Sequence, residues 1–345
     1  MAMPSALEVL RLTDSSIRVG CSTGKSAGFA PSSGSNLTER TVLILRTLLA
    51  SAHSAWFAAP RVDPRGGASE YSERRYGAEA RMADELTFRD EAAAEYDRAF
   101  AHVTAYFMPF LLRAAHVAPG MDVLDIATGT GLSAEAALAA VGPKGHVTAA
   151  DVSPAMAGKA RERLGKAPNA SVSVEDGQAL SFSDESFDAV LCNLGLMFFT
   201  DPVRGLSEFR RVLRPGGRVA VSVNTVVERS YNHQINVMIA RYVPSLAEAV
   251  TRTFALGEAS RLQSLFSEAG FADIETHTVR HTFVLPSFDV YYGPFERGGA
   301  STGQALATLP EEIRRAVREE VRRDLADTGG PIEAEAEYRI ASGRR

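Results

Sequence analysis

At 345 residues the chain is long enough for two domains, or for one large domain with attachments, and its 45% hydrophobic share supplies a sizeable core. The net charge of −5 is uneven: residues 1–81 hold ten Lys and Arg against seven Asp and Glu, leaving 27 against 35 downstream, a balance of −8. An acidic working part grips a phosphate backbone poorly, so nucleic-acid binding is not expected. The two cysteines, Cys21 and Cys192, lie far apart in sequence, and Cys192 sits in an apolar run that reads as a buried strand. That excludes a disulfide framework and fits a reducing cytoplasm.

In chain order, residues 13–40 are rich in Ser, Gly and Thr, and 60–81 in Arg, Gly and Pro without periodicity, a composition that favours disorder. Between them the apolar stretch Thr41 to Ala59 is interrupted by Arg46 and His53 and preceded by about forty residues. It makes a poor spanning helix and a poor signal peptide, so no membrane insertion is expected. Gly20 to Ser26 reads GCSTGKS, but a phosphate loop of this type needs four residues between its glycines and a preceding strand, and this has three and none. From Met82 the sequence reads MADELTFRDEAAAEYDRAF, a natural beginning for a folded unit. Residues 1–81 are therefore expected to be a disordered or dispensable extension, with 82–345 as the working domain.

From Met121 onward apolar strands alternate with helical patterns, the signature of a parallel sheet built from βαβ units. The pattern predicts strands over 121–126, 146–151, 170–175, 187–193 and 218–224, with helices over 132–141, 154–165 and 202–213. RPGG at Arg214 to Gly217 should end the last of these helices in a Pro-Gly turn and launch the next strand. Beyond it, 229–257 reads as a helical insertion, 258–269 as a helix closed by Gly270, 272–285 as a strand, 309–327 as a charged helix and 332–342 as a last alternating strand. Lid or substrate elements are expected around 225–257 and 286–330.

Val123 to Ala137 reads VLDIATGTGLSAEAA. A helix reached through a short glycine turn brings backbone N–H groups and a positive dipole end close to a ligand. Gly129, Gly131 and Ala134 satisfy GxGxxA, and Asp151 follows twenty residues after Gly131, which by itself fits a nicotinamide dinucleotide site. Three features point elsewhere. Asp125 stands at the end of the first strand, where a carboxylate repels phosphate but suits an ammonium or sulfonium ligand. EDGQAL, Glu175 to Leu180, puts an acid and a glycine after the third strand, and Phe187 to Phe199 ends in Asn193 with a small-residue break at Gly195.

In this order and spacing the residues from about Ala92 to Asn224 resemble the class I S-adenosylmethionine-dependent methyltransferases, most closely the branch of ubiquinone and menaquinone biosynthesis C-methyltransferases. The family pattern is acid-x-Gly-x-Gly-x-Gly, and here Ala127 replaces the first glycine. The resemblance implies a doubly wound, Rossmann-like α/β fold with a seven-stranded sheet, mostly parallel with an antiparallel C-terminal strand, plus a helical lid insertion. It implies S-adenosylmethionine as cofactor. Asp125, Ala127, Thr128, Gly129 and Gly131 would surround its methionine part, and Asp151 its ribose hydroxyls. Val152 and Met156 would pack on the adenine, whose amino group and ring nitrogen would meet Asp176 and Gly177. Asn193 and Leu194 would line the wall near the sulfonium, and Tyr96 matches a position on an N-terminal helix that closes over the cofactor.

Outside the motif core, an acceptor pocket is expected from the N-terminal helix with Phe88 and His102, the insertion, and the aromatic FDVYYGPF, Phe288 to Phe295. No catalytic residue is evident; Tyr231 and His233 in SYNHQ are the candidates for a base. His277 and His281 would pair on a metal if helical, but on a strand they stand about 13 Å apart, so no metal site is expected. Glu311 to Asp327 has both charge signs at helical spacing with one apolar stripe, the pattern of an amphipathic packing helix, a lid or a homodimer element. The expected activity is methyl transfer to a small-molecule acceptor. An NAD(P)-dependent oxidoreductase and a non-catalytic cofactor-binding subunit are the alternatives.

Overall fold

The computed structural model of the chain describes residues 90–244 and 251–345. The expected extension over 1–81, the apolar stretch Thr41 to Ala59, GCSTGKS and Phe88 lie outside the described residues. Helix α1, Asp90–Ala114, leads into β1, Asp122–Ile126. The alternation then runs α2 Leu132–Val141, β2 His146–Asp151, α3 Pro154–Leu164, β3 Ala170–Val174, β4 Phe187–Asn193, α4 Pro202–Val212 and β5 Leu213–Asn224. Helix α5, His233–Tyr242, belongs to the insertion. After it come α6 Ala259–Glu268, β6 Ala272–Leu285, α7 Phe288–Glu296, α8 Ala300–Ala307, α9 Glu311–Asp324 and β7 Ile332–Arg344.

Local chemistry sets the helix starts. Ser153 accepts a hydrogen bond from the Met156 amide and Pro154 occupies the first turn of α3; Asp201 and Pro202 do the same for α4, with the Arg204 amide as donor. Ser287 caps α7 through the Val290 amide.

The seven strands order β3-β2-β1-β4-β5-β7-β6, with β1 to β5 parallel and β7 antiparallel to both β5 and β6. Strand direction reverses its lateral progress between β1 and β4. At such a point the loops leaving adjacent strands diverge and open a crevice at the carboxyl edge. Both sheet faces are covered: Leu124, Val190, Phe209, Leu262 and Phe266 pack on one, and Leu111, Val123, Ala134 and Leu191 on the other. Adjacent residues of one strand thus serve opposite cores, as a pleat requires.

The strand and helix limits agree with the sequence reading to within three residues except at two places. Strand β5 starts at Leu213, because RPGG is absorbed as an irregularity inside it: Leu213 pairs Phe187, the register shifts before Ala189, and Gly216 takes a φ of 83°. The C-terminal residue holds this corner, the Arg345 amide donating to the Gly217 carbonyl at 2.9 Å. Helix α8 and the helical form of the aromatic segment, now α7, were not expected, since Gly and Pro within them mask the 3.6-residue period.

Phe209 is fully buried between α4 and the sheet. Phe209→Ala is expected to lower stability by about 3–5 kcal/mol, read from the urea midpoint at unchanged m-value.

Candidate functional site

The loop that leaves β1 turns back at once. The Thr128 amide donates to the Ala150 carbonyl at 3.0 Å and the Gly131 amide to the Thr128 carbonyl at 2.9 Å. Three residues in the loop have positive φ: Ala127 at 55°, Gly129 at 58° and Gly131 at 87°. Gly131 is required twice over, because a Cβ there would also stand 3.2 Å from the Ala160 Cα of α3. At Gly129 a Cβ would meet no atom within 4 Å, so the loop presents bare backbone on its open side. Ala127 occupies the left-handed region with a side chain, at a cost of roughly 1–2 kcal/mol. Gly195, after β4, makes this possible: a Cβ there would fall 2.4 Å from the Ala127 Cβ.

Asp125 is fully buried behind this loop. Its Oδ2 accepts from the Thr128 hydroxyl at 2.6 Å, while Oδ1 has no partner among the described residues. Burial pushes its carboxyl up to about 7, and the Asp151 carboxylate adds to the rise; the Thr128 hydroxyl and the nearby Ala134 N–H oppose it. An acid held this way is short of a positive partner.

Asp151, at the end of β2, bridges the two loops. Its Oδ2 accepts from the Gly129 amide and its Oδ1 from the Ser153 amide, both at 2.9 Å. Burial raises its carboxyl and the two amides pull it back. Val152 beside it is 69% exposed, whereas Met156 is buried under α3. After β3, Asp176 is exposed and its Oδ1 accepts from the Gln178 amide at 2.9 Å, closing a turn. Gly177 lies under Phe199, which a Cβ would strike at 2.4 Å. After β4, the Ser222 hydroxyl donates to Asn193 Oδ1 at 2.6 Å, and Leu194 takes a φ of 53° with its amide donating to the Ser222 hydroxyl at 3.1 Å.

Tyr96 on α1 joins this group. Burial, then the Asp97 and Asp151 carboxylates, push its phenol up to about 12. The ends of β1 and β2 and the start of α1 are therefore electrostatically in touch. From Tyr96 a row of rings follows α1: Phe100 stands 5.3 Å away, and the Tyr231 ring 5.6 Å beyond that. Tyr231 is buried by Phe100, Phe283, Tyr291 and Phe295, and its hydroxyl lies 3.1 Å from His102 Nε2. The three segments expected to build an acceptor pocket thus do meet. His233 does not join them. Its imidazole is held down by burial against the influence of Glu228, the Val227 backbone and Asp324. His277 and His281 both lie on β6, and His281 stacks on Tyr106 at 3.8 Å. Sequence reasoning missed Ser222, Asp97, Thr130 and Arg163; their contacts, described below for the last three, span 28 to 66 residues and leave no local pattern.

A parallel sheet with an antiparallel β7, an acid-and-glycine loop after β1 and an acid after β2 define a Rossmann-like site for a nucleoside-bearing cofactor. A methyltransferase-domain family profile matches residues 123–217. The demethylmenaquinone methyltransferase of Clavibacter sepedonicus is 33% identical over 202 residues, which cover 54% of this chain and 81% of that protein. The ubiquinone/menaquinone biosynthesis C-methyltransferase UbiE of Saccharophagus degradans is 30% identical over 198 residues, covering 51% and 80%. Among solved structures, Haemonchus contortus phosphoethanolamine N-methyltransferase 2 is similar at 18% identity, covering 76% of this chain and 59% of that one, with a TM-score of 0.49. The chain belongs to the class I S-adenosylmethionine-dependent methyltransferases, in the branch of the ubiquinone/menaquinone biosynthesis C-methyltransferases. It is a methyltransferase enzyme whose cofactor is S-adenosylmethionine and whose acceptor is a small molecule, which decides against the nicotinamide and non-catalytic readings.

The residues present fit that cofactor: a buried acid with one unpartnered oxygen suits a cationic ligand, and a bare glycine backbone suits one that approaches closely. Because the folded-state value of Asp125 lies above its ordinary 3.8, its contribution to stability is full below about pH 4 and is lost as pH rises through about 7. Asp125→Asn is expected to raise the stability of the ligand-free protein by a few kcal/mol at about pH 8, with the gain vanishing near pH 4. Urea titrations across that range check it. The same variant should bind S-adenosylhomocysteine at least about tenfold more weakly at pH 8.

Proposed function

We propose that the carboxyl edge of β1 to β4 holds S-adenosylmethionine and that its methyl group is passed to a neutral, ring-bearing small molecule lying against the Tyr231 and His102 side. The observation that carries this reading is the unpartnered buried oxygen of Asp125, one loop away from the Asp151 carboxylate. Asp125 and the backbone of Ala127, Thr128, Gly129 and Gly131 would hold the methionine part. Asp151 keeps lone pairs beyond its two amide bonds for ribose hydroxyls. The exposed Val152 and the buried Met156 would bear on the adenine, with Asp176 and Gly177 at its edge, and Asn193 and Leu194 would form the wall at the transfer point. Tyr96 would cover the whole from α1.

Bound there, the cofactor supplies an electrophilic methyl on a cationic sulfur. The protein's part is alignment and exclusion of water, since the positive charge fades as the methyl leaves and a dry pocket favours that change. On the acceptor side, burial alone raises the Tyr231 phenol far above the ordinary tyrosine range and lowers the His102 imidazole. Tyr231 thus stays protonated, His102 stays neutral, and the pair can take up an acceptor proton. The groups packed on Tyr231 are aromatic rings, which favours an uncharged acceptor over an amine or a carboxylate. The surrounding rings of Phe100, Phe283 and Phe295 would stack on a flat one. A ring such as the demethylmenaquinone for which the Clavibacter relative is named has this character. We also propose that residues 82–345 suffice for the activity and that the enzyme works in a reducing cytoplasm, where the buried thiol of Cys192 stays unpaired.

Calorimetric titration with S-adenosylhomocysteine and, in parallel, NADH tests the cofactor: micromolar binding of the first alone is expected, and binding of NADH alone refutes the reading. A chain shortened to begin at Met82 should bind equally well. In a screen of neutral ring compounds with a radiolabelled methyl donor, Tyr231→Phe is expected to cut turnover about a hundredfold with cofactor affinity unchanged. Equal loss of both would assign Tyr231 to packing.

A further inference from the structure

The start of α1 is fastened to the cofactor edge by a single guanidinium. Arg163, in the last turn of α3, donates from Nε to the Thr130 carbonyl at 2.8 Å, from Nη2 to Asp97 Oδ2 at 2.5 Å and from Nη1 to Glu135 Oε2 at 3.0 Å. The Thr130 hydroxyl donates to the other Asp97 oxygen at 2.5 Å, which closes the ring. Thr130 stands between Gly129 and Gly131, so its side chain and carbonyl turn to this latch while the neighbouring glycines supply the loop's bare face. The Arg163 stem also lies 3.4 Å from where a Gly131 Cβ would be. One side chain thereby ties α1, the glycine loop, α2 and α3 together.

The residue before Tyr96 is anchored on the other side. Arg297, at the end of α7, donates from Nε to the buried Glu95 carboxylate at 2.8 Å, and Arg98 contacts the same group. Tyr96, proposed above to cover the cofactor, therefore sits between two pinned carboxylates, one held by the cofactor edge and one by the aromatic helix. The two fastenings differ in exposure. The Asp97 and Arg163 side chains keep 31% and 23% of theirs, so the latch can open into water at small cost, whereas Glu95 keeps 9%. Tyr96 and the cofactor edge would separate at the Asp97 side first.

We propose that Arg163 and Asp97 are positioning residues forming a latch that holds α1 across the bound cofactor, and that opening this latch sets the rate at which the cofactor and its demethylated product exchange. The proposal rests on the cofactor site assigned above. Asp97 touches neither reacting atoms nor, in this reading, the cofactor; it acts through Tyr96 and Thr130. Asp97→Asn keeps the shape and one acceptor for the Thr130 hydroxyl, but sets amide hydrogens against the guanidinium. Arg163→Lys keeps the charge and loses the planar fork that reaches three partners. Glu135→Gln removes the partner of the same guanidinium that lies on α2 and leaves α1 fastened.

Surface plasmon resonance with the full chain and S-adenosylhomocysteine reads dissociation directly. The expected result is a dissociation rate about tenfold faster in Asp97→Asn and several-fold faster in Arg163→Lys, with association within twofold of wild type and ligand-free melting temperature within about 2 °C. Glu135→Gln should dissociate like wild type. An unchanged rate in Asp97→Asn overturns the latch, as does a rate in Glu135→Gln equal to that in Asp97→Asn, or a faster rate that scales with lost melting temperature. Failure of the wild-type chain to bind S-adenosylhomocysteine would instead bring down the cofactor reading on which the latch rests.

Discussion

Two amides from different loops, those of Gly129 and Ser153, converge on one carboxylate, Asp151, and the rest of the cofactor edge is built outward from that contact. It fixes the loop after β1 against the loop after β2, although each loop by itself is free to turn several ways. A carboxylate that accepts backbone N–H bonds is oriented, and its remaining lone pairs point where a ligand hydroxyl can reach them. The parallel register of β1 on β2, Asp125 beside Ala149 and Ile126 beside Ala150, delivers the two strand ends to the same height. Glycine at 129 then takes a φ of 58° and leaves bare backbone on the open side of the loop.

Behind this edge the protein carries a cost. Asp125 is buried with one of its two oxygens unpartnered among the described residues, and Ala127 is held in a conformation that favours glycine. Both strains lie in three consecutive residues, Asp125 to Ala127, at the site proposed above to hold a cationic ligand. Strain of this kind persists only where the surroundings over-determine it. Gly195 supplies the room for Ala127, and the Thr128 hydroxyl occupies one Asp125 oxygen, so the loop is held in this form by its surroundings.

The acceptor side is built on the opposite principle. Around Tyr231 the partners are rings from α1, β6 and α7, and the polar contact of its hydroxyl is with His102. The insertion after β5 is tied down at its root by another buried acid, Glu337 on β7, which accepts from Thr225, Arg229 and Arg280. A charged, backbone-rich edge after β1 and β2 and an apolar, ring-rich cluster around Tyr231 are thus two chemically distinct surroundings, matching the two ligands proposed above.

By itself the sequence determined the βαβ alternation, nearly all strand and helix limits, and the family, because hydrophobic period, capping residues and the Asp125 to Gly131 motif are local signals carried by neighbouring residues. It also pointed to the loops after β1, β2, β3 and β4 and to the three segments that line the ring cluster. Tertiary structure alone decided which of those segments face one another. Tyr231 meets His102 across 129 residues while His233, two positions away, turns elsewhere, and the choice depends on how the insertion helix docks. The same holds for Arg163, an ordinary charge at the end of a helix until Asp97 and Thr130 are folded against it. Contacts at such separations are paid for by chain entropy and settled by packing, so no short pattern records them.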